Sequence, residues 1–170
     1  EVATARRVSY TKDQLDHFVK TLPQESVLRW VEENGYAVVA GPPTPMGLLD
    51  VRALNQKLFW WQNGGWFEDY DFARNDKAAT NWLIIKKEPV PNSTNKHWNA
   101  QLRLLSKDEQ VPNVGEMSWF ITTFYEVRGM RRFEQTYVRT SSVTSVGDRV
   151  DVGHFEERSG LHVGSYWGGS

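Results

Sequence analysis

Three lysines, two asparagines, a serine and a threonine crowd into Lys86-Lys87-Glu88-Pro89-Val90-Pro91-Asn92-Ser93-Thr94-Asn95-Lys96. A strand end followed by a hydroxyl- and amide-rich turn that opens a helix gathers unpaired N–H groups and a positive dipole end. Such a place holds phosphate or carboxylate. The expected anion contacts are Lys86, Lys87, Asn92, Ser93, Thr94 and Lys96. No Gly-rich loop, G-K-[ST] or G-x-G-x-x-G accompanies them, so no nucleotide cofactor is implied. Helix capping alone also accounts for Asn92 to Asn95. Asn92-Ser93-Thr94 also matches the N-glycosylation sequon, a coincidental match in a chain expected to stay in the cytoplasm.

Arginines form a second group. Arg128, Arg131 and Arg132 surround Gly129, where cations at a helix end are stabilising on dipole grounds alone. Arg139 shares a strand face with Tyr137, and with Arg149 on a neighbouring strand it would build a cationic, aromatic-lined surface. Lys+Arg 20 against Asp+Glu 21 leaves a net charge of −1. That balance disfavours an extended nucleic-acid contact. His154 and His162 are spaced to meet across adjacent strands, with Asp151 or Glu156 beside them, but no H-x-x-x-H or H-x-H marks a metal site. Among the carboxylates, Asp50, Glu68, Asp69, Asp71, Glu126 and Glu134 are candidates for acid–base work that nothing in the spacing pairs. Ser93 or Thr94 with His97 lacks a nucleophile elbow.

The eight tryptophans divide by setting. Trp30, Trp98 and Trp119 follow helical periods and Trp82 a strand, which assigns them to the core. Trp60, Trp61, Trp66 and Trp167 lie in turn-rich stretches. There they form an aromatic surface for a sugar, base or partner protein, or else plug the open side of a small sheet.

The elements that must position these residues follow from periodicity. Thr11 with Gln14 makes a capping box, and Leu15, Phe18, Val19 and Leu22 form one apolar stripe, predicting a helix over 11–22. Pro23 suits the first turn of a second helix over 24–34, with Val27, Leu28 and Val31 inward and Asn34-Gly35 as its stop. Tyr36–Ala40 reads as a strand. Leu48–Leu54 reads as a short helix with Leu49, Ala53 and Leu48 facing in. Phe59–Trp61 and Trp66–Phe67 read as two strands about a Gln62–Gly65 turn, and Asp69–Lys77 as a surface loop or helical turn. Trp82–Ile85 is apolar on both faces, predicting a central strand covered on both sides. Trp98, Leu102 and Leu105 predict a helix over 95–106. Asn113 with Glu116 opens another over 113–128, its stripe Met117, Phe120, Ile121 and Phe124, ended by Gly129. Phe133–Thr140, Arg149–Phe155 and Leu161–Tyr166 then form a meander, with Gly147-Asp148 and Ser159-Gly160 as turns. Helices early and strands late specify a single α+β domain over residues 1–170. Its mostly antiparallel sheet packs against several helices, with residues 1–10 as a possible arm.

At 170 residues the chain suits one domain with a sizeable core. Without cysteine it has no disulfide, thiolate zinc site or cysteine nucleophile. No uninterrupted apolar stretch reaches the about 18 residues of a membrane span, and no signal-peptide core is expected at the N-terminus.

Four blocks, Pro45-Met46-Gly47-Leu48-Leu49-Asp50-Val51-Arg52, Pro89-Val90-Pro91-Asn92-Ser93-Thr94, Tyr137-Val138-Arg139-Thr140-Ser141 and Arg149-Val150-Asp151-Val152-Gly153, resemble a group of uncharacterised bacterial proteins from environmental and candidate-phylum genomes. The resemblance covers about residues 40 to 167 and implies a bacterial, cytoplasmic protein. It carries no activity, cofactor or catalytic residue. The expected function is a non-catalytic binding module for an anionic ligand, nucleotide or partner. One alternative is a hydrolase or nuclease using Asp50 and Glu126. Another is an assembly subunit with its interface at Trp60 to Phe67.

Overall fold

The computed structural model describes residues 1–166. Its elements in chain order are α1 (Val2–Arg6), α2 (Lys12–Thr21), α3 (Glu25–Glu33), β1 (Tyr36–Ala40), α4 (Leu48–Leu54), α5 (Phe72–Asn75), β2 (Trp82–Lys86), α6 (Trp98–Leu102), α7 (Val114–Arg128), β3 (Tyr137–Val143), β4 (Arg149–Glu156) and β5 (Gly160–Tyr166). The α+β class and the closing antiparallel meander are as expected, but the strands divide into two sheets. β1 pairs with β2, and β3, β4 and β5 lie side by side in chain order. Among the described residues no helix is long and apolar enough to cross a membrane.

α7 is the axis of the core. Asn113 Oδ1 accepts from the Glu116 N–H at 2.9 Å while Glu116 Oε2 accepts from the Asn113 N–H at 2.8 Å, closing both orphan donors at the start. Gly129, at φ 69°, ends the helix. Ten of its residues, Val114 to Phe124 except Glu116, are buried, so it is enclosed on every side rather than along one stripe. Trp119 is fully buried and donates its indole N–H to the Ala40 carbonyl at 2.9 Å, tying α7 to β1. Phe120, Ile121, Val150, Val152 and Leu161 complete the contact with the meander.

The first two long helices form where periodicity places them, with the Thr11 capping box intact. Pro23 lies outside α3, one residue before its N-cap Gln24. Their apolar stripes are only partly covered. Phe18 and Val31 are buried, but Leu15, Leu22 and Val27 are exposed, as is Val19 at 75%. Trp30, assigned to the core from its spacing, is also exposed and stacks on Tyr36. Periodicity decides which side chains share a face; it does not supply a second layer to cover that face.

Four further expectations are corrected. Trp82–Ile85 belongs to a two-stranded sheet with Ile84 exposed, because only β1 flanks it. α4 turns Leu48, Val51 and Arg52 inward and leaves Ala53 outside. Residues 1–10 are not a free arm: buried Arg6 of α1 binds Glu126 of α7. The hairpin about Gln62–Gly65 is absent. The buried Arg52 guanidinium gathers the Trp61 carbonyl (3.2 Å), the Gly64 carbonyl (2.6 Å) and the Glu68 carboxylate into a loop. Five donors on one planar group organise that turn more effectively than strand pairing over so short a span.

Candidate binding face on the outer side of the meander

The anion site expected at Lys86 to Lys96 loses the helix that was to build it. α6 begins at Trp98, with His97 as its N-cap and no side-chain cap, and lasts only five residues, leaving Leu105 outside. Asn92 and Asn95 instead take left-handed turn conformations, φ 61° and 56°. Their short amide side chains tolerate that geometry where most residues do not. Ser93 and Thr94 lie in this turn; the Ser93 carbonyl accepts from Gln101 Nε2 at 2.7 Å. Lys86 pairs with Glu109 at 3.5 Å and lies over the Tyr36 ring, and Lys87 anchors its backbone N–H on Gly35.

Arg139 and Arg149 do come to the same region as Lys96, as clamps. Arg139 Nη1 donates to the Lys96 carbonyl (2.9 Å) and to Gln101 Oε1 (3.0 Å), and its guanidinium lies 4.4 Å from the Tyr166 ring centre. Arg149 donates to the Ser141 carbonyl at 2.7 Å and lies 4.0 Å from the Trp98 ring. Together they hold the segment carrying α6 against the meander. Burial lowers the Arg149 pKa from its ordinary value.

The carboxylates named for hydrolysis are engaged separately. Asp50 accepts the Gly47 N–H at 2.9 Å at the start of α4. Glu126 accepts from both Arg6 and Asn55 Nδ2.

What the fold assembles lies on the outer face of the meander. Residues opposite one another on neighbouring strands point to one face. One row is Arg139, Asp151 and Gly164; the next is Tyr137, Gly153 and His162. Strand alternation would turn residue 154 inward. A bulge after Gly153 reverses this: Gly153 takes φ 155°, His154 takes φ 44°, and the His154 N–H bonds the Thr136 carbonyl at 3.0 Å. The extra residue re-aims the imidazole outward. It meets the Tyr137 ring at 4.4 Å and the His162 ring at 6.4 Å. Trp60 closes the row, stacked on His162 at 5.0 Å with planes 17° apart. Side chains are missing at Gly153 and Gly164, where a Cβ would come within 2.0 Å of the Thr136 carbonyl oxygen and 2.5 Å of Asp151 Oδ1.

Electrostatics single out Asp151. Burial pushes its carboxyl up to about 6, against the opposing pull of Arg139, the Gly164 N–H and His154. Burial and the neighbouring His154 lower His162, while burial and Asp151 raise Tyr137. Among the described residues no cluster of three His, Asp or Glu is arranged to hold a metal ion. The face therefore offers ring surfaces for stacking and one carboxyl group that is close to changing charge. No family model, curated protein or solved structure matches this chain. The chemistry of the face rests on its own residues.

The tryptophans separate accordingly. Trp60, 53% exposed, joins the face, and Trp61 is exposed beside it. Trp66 plugs the sheet edge, donating its N–H to the Val163 carbonyl at 2.9 Å and packing on Tyr70 and Phe72. Trp167 lies outside the described residues. Spacing brought His154, His162 and Asp151 into consideration but not into the expected site. The signal that would have promoted them is Gly153-His154 within a strand, where a lone Gly marks a bulge.

Proposed function

We propose that this chain is a non-catalytic binding module that takes a planar, N–H-bearing ring, the nucleobase of a nucleotide, on the outer face of the meander. The observation that carries this reading is the bulge at Gly153-His154, which turns His154 onto Tyr137 in the rows that hold Asp151 and His162. Bulges that re-aim one side chain recur beside functional sites. Tyr137, His154 and the Trp60–His162 stack present π-faces, each worth about 1–3 kcal/mol to a stacked base. The Asp151 carboxylate accepts from ring N–H groups and prefers bases that carry an exocyclic amine. The setting is a bacterial cytoplasm, as the family resemblance implies.

Tryptophan fluorescence and calorimetry with the four ribonucleoside monophosphates test this. His154→Ala and Asp151→Asn should each weaken the preferred nucleotide about tenfold, one stacking or charge-assisted contact. If none of the four binds at millimolar concentration, or the variants bind as wild type does, the reading fails. Exposed Trp60 and Trp61 support a second reading, self-assembly through this loop. Light scattering across concentration separates the two, since Trp61→Ala would then lower the mass.

A further inference from the structure

A second concavity, lined by no residue of the meander, lies between the α2–α3 pair, β1 and the C-terminal half of α7. It is open to solvent along one side and spans about 790 Å³, within the range of about 300–1,000 Å³ that holds small ligands. Its walls carry Phe18 and Leu28 on one side and Phe124 and Val127 on the other, with charged side chains interspersed. Leu15 of α2 and Met130 after α7 line its rim and are exposed.

Two polar atoms at this groove lack partners. Thr123 is fully buried and its Oγ1 makes no hydrogen bond; Arg132 Nε is likewise buried and unpaired. A buried donor left unsatisfied costs about 1–3 kcal/mol. Arg132 lies over the Phe124 ring, and its Nη1 reaches Glu88 at 3.0 Å, which brings the charge of Lys87 to the same end. Glu1 faces Arg128 at 3.9 Å, and Glu32 is the remaining acid of the lining. A trough with apolar side chains along its walls and, at one end, Lys87 beside the partly exposed guanidinium of Arg132 is complementary to a molecule with a hydrocarbon tail and an anionic head.

We propose that this groove binds a single-chain acyl amphiphile with an anionic head, a long-chain fatty acid carboxylate. The chain lies along α7 between Phe18 and Val127, and the head meets Arg132 and Lys87. The site is separate from the meander face and does not depend on it.

Calorimetry with laurate, myristate and palmitate, below their micellar concentrations and on the full chain, reads this directly. Affinity should climb with length by up to about fourfold per buried methylene, the conversion of about 0.8 kcal/mol. Arg132→Gln should weaken palmitate about tenfold and leave hexadecanol unchanged, since only the charged head uses the guanidinium. Val127→Trp should abolish binding of all three acids. Should that variant lose its native circular dichroism, Leu28→Arg blocks the opposite wall and replaces it. The proposal is overturned if none of the acids binds, if affinity is independent of chain length, or if folded Val127→Trp or Leu28→Arg binds palmitate like wild type. It is equally overturned if light scattering shows the groove occupied by a second copy that palmitate does not displace.

Discussion

Replacing Asp151 by Asn tests the electrostatics of the meander face at their most perturbed point. Burial holds the Asp151 carboxyl at about 6, against 3.8 for a free side chain. The folded state therefore binds a proton that the unfolded chain has already released between about pH 4 and 6. Where the native state binds more protons, stability falls as pH rises. At neutral pH the burial of this charge costs the fold up to about 3 kcal/mol. The side chain is partly solvated, so screening reduces this to about 1–2 kcal/mol. Asp151→Asn keeps the shape and the hydrogen-bond acceptor without the charge. Urea unfolding at pH 4, 5.5 and 7.5 should show the variant gaining about 1–2 kcal/mol over wild type at pH 7.5. The gap should close as pH falls toward 4. Glu116, also raised by burial, and His162, lowered, titrate in both proteins, and the difference between the two curves removes them. A constant gap at every pH, or a variant less stable at pH 7.5, would refute the assignment of Asp151 as a charge held against its solvation.

Gly153→Ala puts a methyl group within 2.0 Å of the Thr136 carbonyl oxygen; the bulge must open, at about 2–4 kcal/mol of unfolding free energy in urea, and the His154 ring signals should shift in NMR. Glu126→Gln leaves the Arg6 guanidinium buried without its counter-charge, and a loss of about 3 kcal/mol of unfolding free energy is expected, read as a lowered thermal midpoint; an unchanged midpoint would refute a stabilising role for that pair. Arg52→Ala removes the group that gathers the Trp61 and Gly64 carbonyls and Glu68. Limited proteolysis should then cut within residues 61–68 far faster, while circular dichroism of the helices stays unchanged.

Much of the secondary structure was legible because its signals are local. The capping boxes of α2 and α7, the Gly129 stop and the turns before β4 and β5 each depend on residues within a few positions. Misread segments were those decided at a distance. Residues 59–67 look like a hairpin until Arg52 is seen among their carbonyls. Asn92 to Asn95 look like helix caps until their left-handed turns separate them from α6.

For the candidate sites the division is similar. Composition and spacing by themselves determined the α+β class, the closing meander and the residue types on offer: imidazoles, arginines, lysines and an excess of indoles. Only the tertiary structure decided that Arg139 and Arg149 clamp α6, that Glu126 is tied to Arg6, and that the open rings belong to Tyr137, His154 and Trp60. The physical reason is range. A cap or a turn is closed by neighbours along the chain, whereas the environment that raises Asp151 is built from three strands whose register is set by packing against α7.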